Sequence, residues 1–362
     1  MIRLVHPIDT IMDTLTQRHQ KILRIFLERG QLQSSDVHSA LQGRGEDLSL
    51  LTIKRELTEL CAMGVIEVQG SGRSTSYLLT PPGRIFCDVD AVEYCKAEPD
   101  TRYGLKGYNF ELFHTFPTGL FTEQELIRLS NATAEYQNNT EHISPGAAKK
   151  ELERLVIELS WKSSKIEGNT YSLLDTEKLL LEHQEAAGHN KEESRMIINH
   201  KDAFHYVREF KEQYKTVTRK NLEDLHAIIV HDLGIEHGFR TSLVGVTGSS
   251  YRPLDNVHQI TEAVDDLTDA IGRTTDPYAK ALLSLIGIAY IQPFADGNKR
   301  TSRLMGNALL LAHGLSPLSY RSVDESEYRA AVLAFYELNT IVPMKKIFID
   351  QYEFAAHNYA VK

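Results

Sequence analysis

The chain contains the sequence Ile291-Gln292-Pro293-Phe294-Ala295-Asp296-Gly297-Asn298-Lys299-Arg300-Thr301-Ser302-Arg303. Asp296 is a hard oxygen donor of the kind that Mg²⁺ prefers. The turn at 297–299 leads into an apolar run, which predicts a helix start with exposed backbone N–H groups and with Arg300 and Arg303 in its first turns. A helix start of this kind binds anions. The stretch therefore predicts a Mg²⁺-dependent polyphosphate site, and the alternative is a solvated, capped helix start with surface arginines.

The same stretch resembles the signature of the Fic family, which reads His-x-Phe-x-Asp/Glu-Gly-Asn-Gly/Lys-Arg-x-x-Arg. Every position agrees except the histidine, which is replaced by Gln292. Proteins of this family transfer AMP from ATP to a Ser, Thr or Tyr hydroxyl. The resemblance therefore implies ATP and Mg²⁺ as cofactors and a protein as the target, and it leaves that target unidentified.

The resemblance also implies a role for each residue of the stretch. Asp296 would hold Mg²⁺ between the α- and β-phosphates, and Arg300 and Arg303 would hold the β- and γ-phosphates. Charge stabilisation of this kind supplies much of the catalysis of nucleotidyl transfer. The remaining phosphate contacts would come from the backbone N–H groups of Gly297, Asn298 and Lys299 and from the Asn298 side chain.

Gln292 stands at the catalytic position of the signature and puts the activity in question. In the family the histidine accepts the proton of the target hydroxyl, and an amide has no usable basicity near pH 7. Losing a general base costs on the order of 10²–10⁴ in rate, so Gln292 predicts impaired or altered transfer. Lys299, in place of the commoner glycine, resembles the Doc branch of the fold, whose members phosphorylate their targets and keep the histidine.

A second motif lies upstream, at the end of a long amphipathic pattern that begins after Pro145. Gly168 predicts that this helix ends at Glu167, one turn after Ser163 and beside the apolar face. A glutamate there could simply reach water. The segment 163–168 also matches the Fic inhibitory-helix motif, [Ser/Thr]-x-x-x-Glu-[Gly/Asn]. The resemblance implies an inhibitory helix over 147–168, in which Glu167, helped by Ser163, pairs with Arg303 and blocks the γ-phosphate position.

Residues 243–253 alternate between apolar and small or polar side chains and contain a Gly-Ser turn, which predicts a β-hairpin. On its own this is compatible with a plain surface hairpin. In the Fic family a hairpin at this place forms a flap that docks the target backbone by β-augmentation. The resemblance assigns that role here to Val244, Gly245, Val246 and Thr247.

The N-terminal part of the chain predicts three helices followed by a β-hairpin with a Gly-Arg tip, which resembles a winged helix-turn-helix. Thr52, Lys54 and Arg55 would face outward from the third helix, and Arg73 would lie at the tip of the wing. Between Asp13 and Thr80 there are 8 Lys+Arg and 8 Asp+Glu, so the segment lacks the basic excess that a DNA-binding surface usually shows. DNA binding and protein contact or dimerisation are both left open.

The bulk composition suits a globular protein of several domains. We expect a mainly α chain of 362 residues with a winged helix-turn-helix at 1–82, an aromatic-rich connecting helical segment at 83–145 and an all-helical Fic domain with a β-hairpin flap at 146–362. The net charge of −9 argues against a protein that mainly coats nucleic acid. The sequence shows no apolar run of transmembrane length and no apolar signal-peptide region at its start, and its three scattered cysteines suit a reducing compartment. A cytoplasmic location without membrane contact follows as the expectation, and a homo-oligomer is left open.

Three functions are compatible with this sequence. The first is a Fic-type AMP transferase that Glu167 inhibits and that Gln292 weakens or alters. The second is a DNA-binding transcriptional regulator whose inactive Fic domain senses a nucleotide. The third is an interaction scaffold, and the intact Asp296, Arg300 and Arg303 count against it.

Overall fold

The structure is a computed structural model that describes residues 11–361 and is mainly helical, as predicted. Residues 1–10, which fall in the predicted 1–82 module, and Lys362 lie outside the described residues. No helix within the described range is both long and apolar enough to cross a membrane. The elements in chain order are α1 (Ile11–Thr14), α2 (Gln17–Arg29), α3 (Ser34–Gly43), α4 (Leu50–Ala62), β1 (Ile66–Gln69), β2 (Ser76–Leu79), α5 (Pro81–Ile85), α6 (Ala91–Tyr94), α7 (Glu123–His142), α8 (Pro145–Ile166), α9 (Leu173–Glu182), α10 (Lys191–Glu209), α11 (Arg219–Ile229), α12 (Val257–Arg273), α13 (Pro277–Ile291), α14 (Asn298–Ala312), α15 (Glu325–Leu338) and α16 (Val342–Asn358).

The chain divides into two compact units, and each unit is built from three segments that are separate in the sequence. The first contains the described residues up to Glu123, together with Val246–Arg252 and Ala330–Lys345. The second contains Gln124–Gly245, Pro253–Arg329 and the described residues from Lys346 onward. The predicted boundaries at 82 and 145 stay predictions.

The N-terminal part of the first unit has the predicted winged-helix layout, with α2, α3 and α4 followed by the β1–β2 hairpin. Each of α2 and α4 begins after a hydroxyl side chain that accepts a hydrogen bond from a backbone N–H in the first turn, Thr16 from His19 and Ser49 from Thr52. β1 and β2 pair antiparallel, with Ile66 opposite Leu79. The core of this module is formed by buried apolar side chains that include Ile22, Phe26, Val37, Ile53, Leu57 and Leu60.

A buried carboxylate organises the remainder of the first unit. Glu337 Oε1 lies 2.8 Å from Arg102 Nη2, and both side chains are 2% exposed. The same carboxylate accepts hydrogen bonds from Ser249 Oγ at 2.5 Å and from the Tyr94 hydroxyl at 2.7 Å. Buried charges are tolerated when they are paired and hydrogen-bonded, so this network fixes the segment around Ser249.

The second unit contains α13 and α14, which are buried along almost their whole lengths. Gly287 of α13 allows a close approach of α12, because a Cβ at this position would lie 2.4 Å from Leu267 Cδ1. The two buried helices hold both ends of the intervening loop, residues 292–297. Residues 291–303 therefore comprise the end of α13, this loop and the first turns of α14.

The predicted hairpin over 243–253 is wrong, because the structure forms no strand in this segment. The Ser249 N–H donates to the Val246 carbonyl at 3.1 Å and closes a turn. The returning arm pairs elsewhere, since Arg252 forms an isolated bridge with Gly107 and its N–H donates to the Lys106 carbonyl at 2.9 Å. Arg252 therefore pairs with the segment at 106–107 and not with the other arm of the predicted hairpin.

Candidate active site

The loop between α13 and α14 is closed by the side chain of Asn298. Its Oδ1 accepts the Phe294 N–H at 2.9 Å, and its Nδ2 donates to the Phe294 carbonyl at 2.8 Å. The same Nδ2 donates to Gln292 Oε1 at 3.1 Å. Both polar atoms of Asn298 thus hydrogen-bond within the loop, so its side chain stabilises the loop. Its predicted phosphate contact stays a prediction.

Gln292 ends α13 in a left-handed backbone conformation, with φ 53°, and its side chain folds back into the loop. Its Nε2 donates to the Ala289 carbonyl at 2.6 Å, and only 8% of the residue is exposed. Arg240 fastens the backbone at the same point, because its Nε donates to the Gln292 carbonyl at 2.7 Å and its N–H donates to the Pro293 carbonyl at 3.0 Å. Gln292 therefore occupies the position of the signature histidine as a hydrogen-bonded part of the loop.

The middle of the loop packs on a buried histidine of α11. The rings of His226 and Phe294 stack with centroids 3.6 Å apart and an angle of 3°. His226 Nε2 donates to the Asp296 carbonyl at 3.0 Å. Burial, opposed by the hydrogen bond to the Asp296 carbonyl and reinforced by the neighbouring Arg300 charge, lowers the pKa of His226 to about 4. His226 is therefore neutral near pH 7 and serves as a hydrogen-bonding platform for the loop.

Gly297 places the N-terminus of α14 against α11. Its φ is +78°, and a Cβ at this position would lie 3.1 Å from Val230 Cγ1. The first backbone hydrogen bond of α14 runs from the Thr301 N–H to the Gly297 carbonyl, at 2.9 Å. The N–H groups of residues 298–300 consequently have no acceptor within the helix, and such groups make a helix N-terminus attractive to anions.

Arg300 belongs to the first turn of α14 and is almost fully buried, with its side chain 2% exposed. Burial lowers the pKa of Arg300, although a guanidinium stays charged at any physiological pH. Its Nη2 lies 3.3 Å from Asp296 Oδ2, while 67% of the Asp296 side chain is exposed. Arg300 Nη1 is buried without a hydrogen-bond partner among residues 11–361. An unsatisfied buried cation beside an exposed carboxylate fits an anion and a divalent cation bound together.

Arg303 and Glu167 form a buried ion pair. Arg303 Nη2 lies 2.9 Å from Glu167 Oε1, with side-chain exposures of 0% and 16%. Arg303 also donates to Ser163, from Nε to Oγ at 2.8 Å and from Nη2 to the carbonyl at 2.7 Å. Its guanidinium lies 5.6 Å from the centre of the Tyr328 ring. Arg303 is therefore enclosed by α8 and α15 residues of the same unit.

Glu167 also contacts Lys299, which was predicted only to contribute a backbone N–H to phosphate binding. Lys299 Nζ donates to Glu167 Oε2 at 2.7 Å. Burial alone would raise the pKa of Glu167, but Arg303 and Lys299 together lower it to about 2. Glu167 is the C-cap residue of α8. The helix, Pro145–Ile166, begins and ends two residues before the predicted segment 147–168.

The structure brings together the predicted nucleotide and inhibitory residues of the second unit, and it adds three that the sequence reasoning missed in these roles. Arg240 and His226 hold the loop, and Tyr328 lies against Arg303. The sequence contained one usable signal for Arg240, an arginine directly after Gly-Phe in a segment otherwise poor in charge. A histidine or tyrosine on an apolar helix face is usually core, so the other two carried no such signal.

The other predicted contact residues lie outside this cluster. The proposed docking segment is divided between the units, with Val244 and Gly245 in the second and Val246 and Thr247 in the first. In the winged helix three of the DNA-contact candidates have exposed side chains, namely Lys54, Arg55 and Arg73. The fourth, Thr52, is half-buried, and its hydroxyl hydrogen-bonds with the Ser49 hydroxyl at 2.9 Å.

Comparison with known proteins gives one family match in the N-terminal module and another in the region that contains the loop. The sequence model of the Fic/DOC family matches residues 216–310, and the model of the penicillinase repressor family matches residues 15–81. The protein adenylyltransferase Fic of Drosophila melanogaster is 29% identical over 190 residues, which are 52% of this chain and 39% of that protein. The protein of the same name from Nematostella vectensis is 28% identical over 172 residues, 46% of this chain and 40% of that protein. The chain thus spans about two fifths of the length of these relatives.

Two solved structures show the same fold at low identity. A Fic-domain-containing signalling protein from Bacteroides thetaiotaomicron aligns with a TM-score of 0.54 and 20% identity, over 63% of this chain and 94% of that one. Fic-1 from C. elegans aligns with a TM-score of 0.57 and 19% identity, over 65% of this chain and 72% of that one. The sequence match, the fold and the geometry of the loop agree, and the chain carries a Fic/DOC family domain at residues 216–310.

Proposed function

We propose that the chain binds ATP at the N-terminus of α14, that Glu167 inhibits this site, and that AMP transfer to a protein hydroxyl is impaired by Gln292. The observation that carries the proposal is the ion pair between Glu167 and Arg303, 2.9 Å apart, at the edge of an otherwise unsatisfied anion site. A buried arginine that pairs with a carboxylate at the end of another helix suits a ligand that can replace that carboxylate.

The residues around the helix start would hold the polyphosphate. The three N–H groups at 298–300 and the unpaired Nη1 of Arg300 offer donors on one side of the loop. Asp296 would be the single protein ligand of Mg²⁺, which commonly takes one carboxylate and completes its shell with phosphate oxygens and water. When bound, Mg²⁺ supplies neutralisation of phosphate charge. Arg303 would hold the outermost phosphate once Glu167 has left it.

Transfer requires a proton acceptor that Gln292 does not provide. The target hydroxyl oxygen would bond to the α-phosphorus as the bond to the pyrophosphate oxygen breaks, and the hydroxyl proton must leave. The Gln292 amide has no basicity near pH 7, and its oxygen already accepts from Asn298 Nδ2 at 3.1 Å. The rate should therefore lie on the order of 10²–10⁴ below that of the same site with histidine.

A second function has support from a separate observation. The N-terminal module matches the penicillinase repressor family over residues 15–81, and Lys54, Arg55 and Arg73 are exposed. We infer as the alternative a DNA-binding transcriptional regulator in which the Fic domain senses nucleotide without catalysis. The cytoplasmic location of the protein stays a prediction, and the target protein and the oligomeric state stay open.

One experiment separates these outcomes. The unmodified protein, Glu167→Gly, Gln292→His and the double variant are incubated in parallel with α-labelled and γ-labelled ATP. AMP transfer labels protein only from the α-position, phosphorylation labels only from the γ-position, and a sensor labels from neither. We expect strong α-label only in the double variant.

Binding is measured on the same proteins by thermal unfolding with and without Mg·ATP. We expect a small rise in Tm for the unmodified protein and a larger one for Glu167→Gly. Absence of any rise in both would overturn the nucleotide site. Strong labelling of the unmodified protein would instead overturn only the impairment by Gln292.

A further inference from the structure

A histidine and two glutamates meet in the winged-helix module, away from the loop described above. His19 lies on α2, and Glu56 and Glu59 lie one turn apart on α4. His19 Nε2 is 3.1 Å from Glu56 Oε2 and 3.6 Å from Glu59 Oε2. One ligand atom from each residue falls within 4.8 Å of the others. We propose that these three side chains bind Zn²⁺ and that the ion ties α4 to α2.

The state of His19 points to a ligand. The residue is 2% exposed, and its Nε2 makes no hydrogen bond of good geometry within residues 11–361, although Glu56 Oε2 lies 3.1 Å away. Polar atoms that are this deeply buried are normally satisfied. The unsatisfied atom faces two carboxylate oxygens, and such a group of one nitrogen and two oxygen donors is a normal set for zinc.

The two separations that involve His19 fit tetrahedral coordination, and the two carboxylate oxygens lie within 4.8 Å of each other. With metal–ligand bonds of about 2.0–2.1 Å, the ligand atoms of a tetrahedral zinc site lie about 3.3 Å apart. The two measured separations from His19 Nε2, 3.1 Å and 3.6 Å, lie on either side of this value. Glu59, with its side chain 54% exposed, is at the open side, where water would complete the shell.

Two neighbouring contacts bear on the site. Arg18 Nη1 pairs with Glu56 Oε1 at 2.8 Å and leaves Oε2 free to face His19. The Thr16 N–H donates to His19 Nδ1 at 3.3 Å. A metal on Nε2 places the imidazole proton on Nδ1 and gives up this long hydrogen bond. Binding therefore exchanges this hydrogen bond and the direct contact between His19 and Glu56 for three metal bonds.

The position of the site gives it a consequence for the module. α4 also presents Lys54 and Arg55 to solvent, and the metal would fix the face of α4 that carries Glu56 and Glu59 against α2. Bound metal should thus stabilise the arrangement of α4 on α2. This inference is independent of the nucleotide site.

The test uses the full chain after chelator treatment and Zn²⁺ alone as the probe. Binding is measured by titration calorimetry, and Co²⁺ in place of Zn²⁺ reports coordination by its visible absorption. The variant is Glu59→Gln, which replaces a half-exposed residue and should leave the fold intact. The matched control is Glu67→Gln, an exposed glutamate of β1 in the same module.

We expect one tight Zn²⁺ per chain, a tetrahedral Co²⁺ spectrum, at least tenfold weaker binding in Glu59→Gln and unchanged binding in Glu67→Gln. A second variant, His19→Gln, should abolish the Co²⁺ spectrum. Unmodified protein that binds no Zn²⁺, or that binds it with the same affinity as Glu59→Gln, overturns the proposal.

Discussion

Lys299 and Arg303 share one carboxylate, because Lys299 Nζ lies 2.7 Å from Glu167 Oε2 and Arg303 Nη2 lies 2.9 Å from Glu167 Oε1. The two cations are one turn apart on α14 and therefore lie on the same face of the helix. Their surroundings differ, since the Lys299 side chain is 35% exposed and that of Arg303 is 0% exposed. Lysine at the signature position where glycine is commoner thus adds a second ion pair to the contact between Glu167 and Arg303.

The two ion pairs should differ in strength. We expect double-mutant cycles with Glu167→Gln to give a coupling of about 0.2–1 kcal/mol with Lys299→Met, because water reaches that pair. The coupling with Arg303→Met should be about 3 kcal/mol or more, since removing one partner leaves a buried charge. Urea unfolding of the single and double variants measures both. The exposed pair Lys96–Glu93 serves as the control and should show the weakest coupling. Equal couplings for Lys299 and Arg303 would contradict the prediction that the buried ion pair is the stronger one.

Glu167 should make the unfolding free energy depend on acid pH. Its pKa is lowered from 4.5 to about 2 in the folded state, so its contribution is fully present above pH 4.5 and is lost as the pH falls towards 2. The contribution at neutral pH is about 3 kcal/mol. Urea unfolding from pH 6 to pH 3 should show a steeper loss in the unmodified protein than in Glu167→Gln. The exposed Glu177→Gln is the control, and its slope should match that of the unmodified protein. Parallel slopes for all three would argue against the ion pair.

His226 should act in a higher pH window. Burial lowers its pKa from 6.5 to about 4, so its contribution is present above pH 6.5 and is lost as the pH falls through this range towards 4. We expect His226→Asn to lower stability at pH 7.5 and to remove about 3 kcal/mol of the loss between pH 7.5 and pH 4. The measurement is urea unfolding across that range. His258→Asn changes an exposed histidine and should leave the pH profile as it is. An unaltered profile in His226→Asn is the contrary result.

Gly297→Ala should disable nucleotide binding. The substitution places a side chain at φ +78° and brings its Cβ to 3.1 Å from Val230 Cγ1, so the start of α14 must shift. We expect a loss of about 1–2 kcal/mol in stability from the backbone strain, together with loss of the Tm rise that Mg·ATP causes. Gly188→Ala has a similar φ, +86°, with no atom within 4 Å, and isolates the strain. Its Tm rise with Mg·ATP should persist, and an equal rise in both variants would show that the shape of the loop is not needed.

The sequence was sufficient for the winged-helix layout and for the two buried helices that flank the loop. Both depend on local signals, namely capping hydroxyls such as Ser49 and long apolar runs such as α13. The resemblance to the Fic family also implied that Glu167 would meet Arg303, although 136 positions separate them in the chain. That step depended on family resemblance, because no local pattern reports which distant side chains meet.

The sequence was insufficient where backbone partners decide the outcome. Alternation at 243–253 predicted a hairpin, but Arg252 pairs with Gly107, and no local rule reveals that choice. The hydrogen bonds of the Asn298 side chain within the loop were equally invisible in the sequence, and its predicted phosphate contact stays a prediction. The sequence indicated only that Gln292 lacks basicity. The structure adds that its side chain donates a hydrogen bond to the Ala289 carbonyl and accepts one from Asn298.

The fastening of Gln292 to Ala289 and Asn298 has a consequence for what such a site could measure. A loop that keeps its shape without a proton acceptor can hold a nucleotide and leave it chemically unchanged. Its occupancy then follows the free nucleotide concentration relative to Kd, and the bound state ends by release instead of turnover. The occupancy of such a site reports the concentration of the nucleotide, whereas the same loop with histidine would consume the nucleotide.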